Sequence, residues 1–111
     1  MADADPLGTL TLELRRGAIV LAVLARLRRE HYAYSLCKSL SEKGLNVDEG
    51  TLYPLVRRLE KQGLLVSEWR EEAKRRKRFY TISPAGREVL DRLLDEWRGM
   101  NASIATMLAE G

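Results

Sequence analysis

Very little in this chain is equipped for covalent chemistry. Among its 111 residues there is one cysteine and one histidine. Cys37 therefore has no partner for an intrachain disulfide, and His31 has no second histidine with which to hold zinc or share a proton. No nucleophile elbow, phosphate-binding glycine loop or dinucleotide fingerprint occurs. Asp91, Asp95 and Glu96 fall on the outer face of a helix, where carboxylates keep a protein soluble. The chain reads as a non-enzyme with no cofactor and no metal. Long apolar runs are also missing. The longest, 17–25, is about half of the roughly 20 residues that a membrane span requires. The start, Met1-Ala2-Asp3-Ala4-Asp5-Pro6, is acidic and lacks the basic residues of a secretory signal. These absences, with the lone thiol, lead to the expectation of a cytoplasmic protein without a membrane partner. No linker rich in Gly, Pro or Ser, no repeat and no low-complexity segment divides the chain, so a single domain with one core is expected.

What is present is unevenly spread charge. The net charge is only +3, but 53–78 holds nine Lys and Arg against four Glu, a local +5, while the remainder holds ten against twelve. Charge of one sign packed into a quarter of the chain is the footprint expected of a polyanionic partner, although a solvated helix and loop would carry it too.

The apolar pattern supplies the context. A first helix is expected over 12–29, buried on two sides because Ile19, Val20, Ala22, Val23, Leu24 and Leu27 cover more than one face. The segment 1–11 before it is expected to be flexible. A short second helix is expected over 34–43, ended by Gly44. Three residues then lead to Asp48, a good N-cap for a third helix, and so short a join forces a helix-turn-helix. The third helix should bury Leu52, Leu55, Val56 and Leu59. Pro54 falls in its first turns, where the lost N–H and the crowding of Gly50 cost least. Strands are expected over 65–70 and 78–83, holding Val66 and Trp69 against Phe79, Tyr80 and Ile82. Neither Asn-Gly nor Asp-Gly lies between them, so the connection is expected to be a wide loop.

Ser83-Pro84 then starts a last helix. Along it Leu90, Leu93, Trp97, Met100, Ile104 and Met107 recur at spacings of three and four, a heptad seam over nearly three repeats. Packing on the first helix would explain part of it. Val89, Leu94 and Leu108 widen the stripe beyond what one small domain covers, so the seam is expected to dock on a second copy.

A basic helix followed by a basic hairpin is the layout of a winged helix-turn-helix, mainly α with a small β-hairpin and a long C-terminal dimerisation helix. Residues 12–83 would form the DNA-binding domain and 84–111 the dimerisation helix. Thr51, Tyr53 and Pro54 stand at the exposed start of the third helix, where side chains meet base edges. Arg57 and Lys61 follow one turn apart, facing phosphates, and Lys38 on the second helix is a further phosphate clamp. Arg58 either joins them or pairs within its own helix. Arg75, Arg76 and Lys77 are expected at the wing tip, reaching the backbone or minor groove, with Glu71 and Glu72 keeping the rest of the loop off DNA.

These residues resemble the PadR family of bacterial transcriptional regulators. The match is carried by Gly50-Thr51-Leu52-Tyr53-Pro54-Leu55 with Arg58-Leu59-Glu60 and Gly63-Leu64. Tyr32-Ala33-Tyr34-Ser35-Leu36 upstream and Arg78-Phe79-Tyr80-Thr81-Ile82-Ser83-Pro84-Ala85-Gly86 downstream support it. Ala33 departs from the glycine usual in the family, which a helical backbone tolerates. The resemblance runs from about residue 14 to the C-terminus and is to the compact class with one long C-terminal helix. It implies a homodimer that represses its target at a palindromic operator in double-stranded DNA, often released by a small aromatic ligand. In some multidrug-responsive members a tryptophan of this helix stacks on a planar ligand, so Trp97 is either interface core or a ligand-binding face. The alternative from another class is a winged-helix module that binds protein and not DNA.

Overall fold

The computed structural model describes residues 5–111. Six elements follow in order: α1 (Pro6–Arg26), α2 (Ala33–Glu42), α3 (Glu49–Lys61), β1 (Leu65–Glu72), β2 (Arg75–Ile82) and α4 (Pro84–Ala109). The expected order of helices and strands is therefore present, with three departures.

The first is the length of α1. It begins at Pro6, because Asp5 caps it by accepting a hydrogen bond from the Gly8 N–H at 3.0 Å and Pro6 is pre-set for the first helical position. Residues 6–11, expected to be flexible, are thus helical, and residues 1–4 lie outside the described ones. The helix also stops at Arg26, three residues short of expectation.

The second departure is the hairpin turn. Glu72 pairs directly with Arg75, leaving a two-residue connection in place of a wide loop. Ala73 and Lys74 both take positive φ, 53° and 64°. That is the backbone of a primed hairpin turn, whose twist matches the strands and which Asn and Gly ordinarily occupy. Arg75, Arg76 and Lys77 are consequently strand residues and not loop residues.

The third is the sheet's inner face. Val66 and Trp69 are about half exposed, and Leu65 is the β1 residue buried opposite Ile82. Side chains alternate between faces along a strand, so Val66 lies on the face opposite Leu65, whereas Trp69 shares the face of Leu65 but stands across from Arg78, nearer the hairpin turn. A one-residue third strand, also unanticipated, completes the sheet: the His31 N–H donates to the Tyr80 carbonyl at 3.1 Å, and the Tyr80 N–H to the His31 carbonyl at 2.8 Å.

The core gathers Val23, Leu24 and Leu27 of α1 and its cap, Leu36 and Leu40 of α2, Leu52, Val56 and Leu59 of α3, and Leu65, Tyr80, Ile82 and Leu90. At roughly 1.5–3 kcal/mol for each fully buried aliphatic or aromatic side chain, this cluster is the main force holding the elements together. Gly44 ends α2 at φ +92° and Gly63 ends α3 at φ +81°, left-handed conformations that glycine adopts without steric cost. Gly86 is required for another reason. A Cβ there would lie 2.1 Å from the Leu64 carbonyl oxygen, so α4 seats against the end of α3 only without a side chain. Ser83 fastens the same corner, donating to the Gly63 carbonyl at 2.7 Å and accepting from the Gly86 N–H at 2.9 Å.

Candidate nucleic-acid interface

The short turn between α2 and α3 fixes how α3 is presented. Asp48 caps α3, its carboxylate accepting from the Thr51 N–H at 2.7 Å, and Arg15 of α1 holds the turn by donating to the Asn46 carbonyl at 2.7 Å. With Leu52, Val56 and Leu59 turned into the core, the 3.6-residue period leaves Pro54, Arg57 and Lys61 outward. Lys61 and Pro54 are exposed and Leu55 is only partly buried. Thr51 and Pro54 border a cleft of ≈ 540 Å3 that α3 shares with Arg16, Gly17, Ile19 and Val20 of α1. Tyr53 lies toward the hairpin, its hydroxyl accepting from Arg57 Nη1 at 3.2 Å. Tyr53 and Arg57 therefore form one unit.

The hairpin is tied to α3 by a residue the sequence did not single out. Glu60 accepts from Ser67 of β1, and its two oxygens lie 3.1 and 3.2 Å from Arg78 Nη2 of β2. Arg78 Nε also donates to Ser67 Oγ at 2.9 Å, closing a three-residue ring, and Arg57 Nε approaches Glu60 at 3.9 Å. These groups are partly screened from solvent, where ion pairs reinforced by hydrogen bonds outweigh the small contribution of an exposed pair.

The cationic run is divided between the hairpin's two faces. Arg76 lies on the face of Trp69, its guanidinium 5.2 Å from the ring centroid. Lys77 points the other way, its ammonium 3.1 Å from Glu72 and 4.2 Å from the centre of the Tyr32 ring. On that second face Arg70 pairs with Glu30 and stacks 3.9 Å over Phe79, fastening the hairpin to the segment between α1 and α2. Glu71 stands opposite Arg76 and Glu72 opposite Arg75, so the two acids expected to repel DNA are matched by cations across the strands. Lys38 of α2 is exposed beside Tyr34 and Asp48, apart from the hairpin, and Tyr34 stacks on Tyr32 with centroids 6.4 Å apart.

The C-terminal seam also divides. Leu90, expected in the seam, is buried in the chain's own core and has little surface to offer a partner, while Leu93 is partly buried against that core and keeps some of its surface open. Exposure begins at Trp97, 47% accessible, and continues through Met100, Ile104, Met107 and Leu108. The first turns of α1 add a second apolar stripe, Leu7, Leu10 and Leu14, at spacings of three and four. No helix among the described residues is long and apolar enough to cross a membrane, and no group of metal-ligating side chains occurs among them.

Residues 20–92 match the model of the transcriptional regulator PadR-like family. The chain is 45% identical over 80 residues to the transcriptional regulator Rv3488 of Mycobacterium tuberculosis, covering 70% of this chain and 74% of that protein. It is similar in structure to a PadR family transcriptional regulator from Eggerthella lenta, with a TM-score of 0.87, 39% identity, and 94% and 93% of the two chains covered. A PadR-like transcription factor from Bacteroides fragilis gives a TM-score of 0.76 at 29% identity, over 89% and 98%. A winged helix-turn-helix with a long C-terminal helix, a basic third helix clamped to a basic hairpin, and a family of regulators that are not enzymes lead to one conclusion: this chain belongs to the PadR-like family of transcriptional regulators.

Proposed function

We propose that the chain acts as a homodimeric, sequence-specific repressor that grips a palindromic operator with two copies of the α3–hairpin surface. The observation that carries this reading is the Glu60–Arg78–Ser67 ring. It fixes the hairpin against α3, so that Tyr53, Arg57 and Lys61 on the helix and Arg75 and Arg76 on the strand move as one body. Pre-set spacing between a groove-reading helix and a phosphate-gripping wing avoids an ordering cost on binding. Thr51 and Pro54 stand at the groove entry, Lys38 meets a flanking phosphate, and Lys77 adds positive potential from the hairpin's second face. Dimerisation uses Trp97, Met100, Ile104 and Met107, apolar side chains that one protomer leaves in water. A planar aromatic effector that stacks on Trp97 would couple ligand to the spacing of the two reading heads.

The test is a mobility shift with DNA flanking the gene, repeated over a salt series. Saturable, sequence-dependent binding that weakens steeply with salt supports the reading, since each neutralised phosphate releases counterions. Binding to no DNA at low salt would move the protein to the alternative class, a module that docks on another protein.

A further inference from the structure

Where the chain between α1 and α2 meets the base of the hairpin, on residues separate from the α3 and hairpin side chains proposed to meet DNA, four arginines, a lysine and the histidine converge. Arg26 at the end of α1, Arg28 and Arg29 just beyond it, Lys43 at the end of α2 and Arg87 in the first turn of α4 line a cavity of ≈ 600 Å3 with Ala25 and His31. No carboxylate lines it, and among the described residues none of these five cations makes an ion pair. Three acids adjoin these cations in sequence and none lines the cavity: Glu30 pairs with Arg70, Glu88 lies 4.0 Å from Arg92, and Glu42 lines the surface beside Tyr34 and Lys38.

Two of the guanidiniums are held from behind. Arg26 donates its Nε to Ser39 Oγ at 2.7 Å, and Arg28 its Nε to the Ala25 carbonyl at 2.8 Å. Both anchors use Nε and leave the terminal nitrogens free to form a fork. His31 adds a polar wall without adding charge at neutral pH: its Nδ1 lies 3.0 Å from Ser35 Oγ, and burial followed by the charge of Arg26 favours the neutral ring.

We infer that this cavity is a binding site for a small, multiply charged phosphate compound, an oligophosphate or a phosphate ester carrying more than one phosphoryl group. Five like charges around one hollow repel one another at any effective dielectric a protein provides, and a polyanion converts that repulsion into attraction. Guanidinium forks match phosphoryl oxygens two at a time, which a lysine cluster would not do. The volume falls within the range of small-molecule sites. Because the walls come from the ends of α1 and α2 and the start of α4, an occupant would bridge all three helices. The site is separate from the DNA-binding reading and does not depend on it.

Titration calorimetry of the whole chain with inorganic tripolyphosphate at low ionic strength, without DNA, tests the inference. Saturable one-site binding is expected, weakened by about tenfold or more in Arg29→Gln/Arg87→Gln, the loss of at least one charge-assisted hydrogen bond. Both residues are exposed, so the core is untouched. The control, Arg92→Gln/Arg98→Gln, removes the same charge from α4 outside the cavity and should leave affinity within about twofold. Equal weakening in both doubles, or binding that never saturates, would mean diffuse attraction and overturn the site. So would loss of DNA binding with a flatter salt slope in Arg29→Gln/Arg87→Gln while tripolyphosphate affinity is unchanged, because these residues would then belong to the DNA surface.

Discussion

Glu60 of α3 and Arg78 of β2 meet across the joint between helix and hairpin, with 3.1 Å separating Arg78 Nη2 from the nearer carboxylate oxygen. The pair sits beside the surface proposed to meet DNA, and that gives Glu60 an unusual predicted sign. Removing a negative charge near a polyanion ordinarily strengthens binding. Glu60→Gln is instead expected to weaken operator binding by about tenfold, because the hairpin loses its fixed angle to α3. Glu71→Gln, which removes an equal charge from the exposed hairpin opposite Arg76, should be neutral or tighten binding. If Glu60→Gln also tightens it, Glu60 is only a surface carboxylate and the hairpin needs no clamp.

The turn at Ala73 and Lys74 carries its own prediction. Two side-chain-bearing residues at positive φ each cost on the order of 1 kcal/mol relative to residues that tolerate the left-handed region. Ala73→Asn should recover roughly 0.5–1 kcal/mol without changing net charge. Urea unfolding measures it. A variant no more stable than the parent would mean that the turn has a different backbone from the one described.

How much of this was legible in the sequence depended on the range of each interaction. Asp48, Ser83-Pro84, Gly44 and Gly63 are local signals, and each marks a helix end where the structure has one. The start of α1 had such a signal too, in Asp5-Pro6 followed by Leu7, Leu10 and Leu14 at helical spacing, but the general looseness of chain termini set the expectation there. The turn was misjudged because composition encodes only the favourable residues of a primed turn, and Ala-Lys is not among them. The clamp was invisible for a different reason. Glu60 and Arg78 are separated by 18 residues, and only the register of β1 on β2 puts Ser67 and Arg78 on the side facing α3. The seam was read as continuous because its spacing is continuous, whereas tertiary packing assigns Leu90 to the core and Trp97 to the surface.

His31 predicts a pH dependence. Burial and then Arg26 lower its pKa below the ordinary value. The folded state prefers the neutral ring, so its contribution is fully present above the unfolded pKa of about 6.5. It is lost as pH falls from there toward the lower folded pKa, where the unfolded chain binds the extra proton. Thermal unfolding should therefore show a drop in Tm as pH falls below about 6.5 that His31→Gln reduces. An identical profile in the variant would remove His31 from the explanation.

The exposed half of the seam predicts the assembly. Met100→Asp/Ile104→Asp places two charges on a surface that is already open in the protomer, so the fold should survive and the dimer should not. Light scattering is expected to give a dimer for the parent and a monomer for the double variant, with unchanged far-ultraviolet circular dichroism. A double variant that stays dimeric would shift the interface to another surface, with Leu7, Leu10 and Leu14 the next to substitute.

Trp97 raises the question of an effector. The residue is 47% exposed in one protomer and opens the uncovered part of α4. The shallow hollow on this helix is lined by Met100, Ile104 and Met107 with Asp95, Glu96, Gly99 and Ser103, and does not include the indole. Two such helices crossing at a dimer axis would bring two indole faces near each other, with Asp95 and Glu96 supplying negative potential beside them. That combination favours a flat, cationic aromatic compound, held by stacking and by charge. Titration with a planar cationic dye should quench indole emission saturably. Trp69 on the hairpin is the second emitter, half exposed and already 5.2 Å from Arg76, so the decisive comparison is Trp97→Leu. That variant should keep the dimer and lose both the quenching and about tenfold or more of dye affinity, the scale of one lost stacking contact with its charge assistance. If dye affinity survives the substitution, the compound binds elsewhere and Trp97 serves only to pack one α4 on the other.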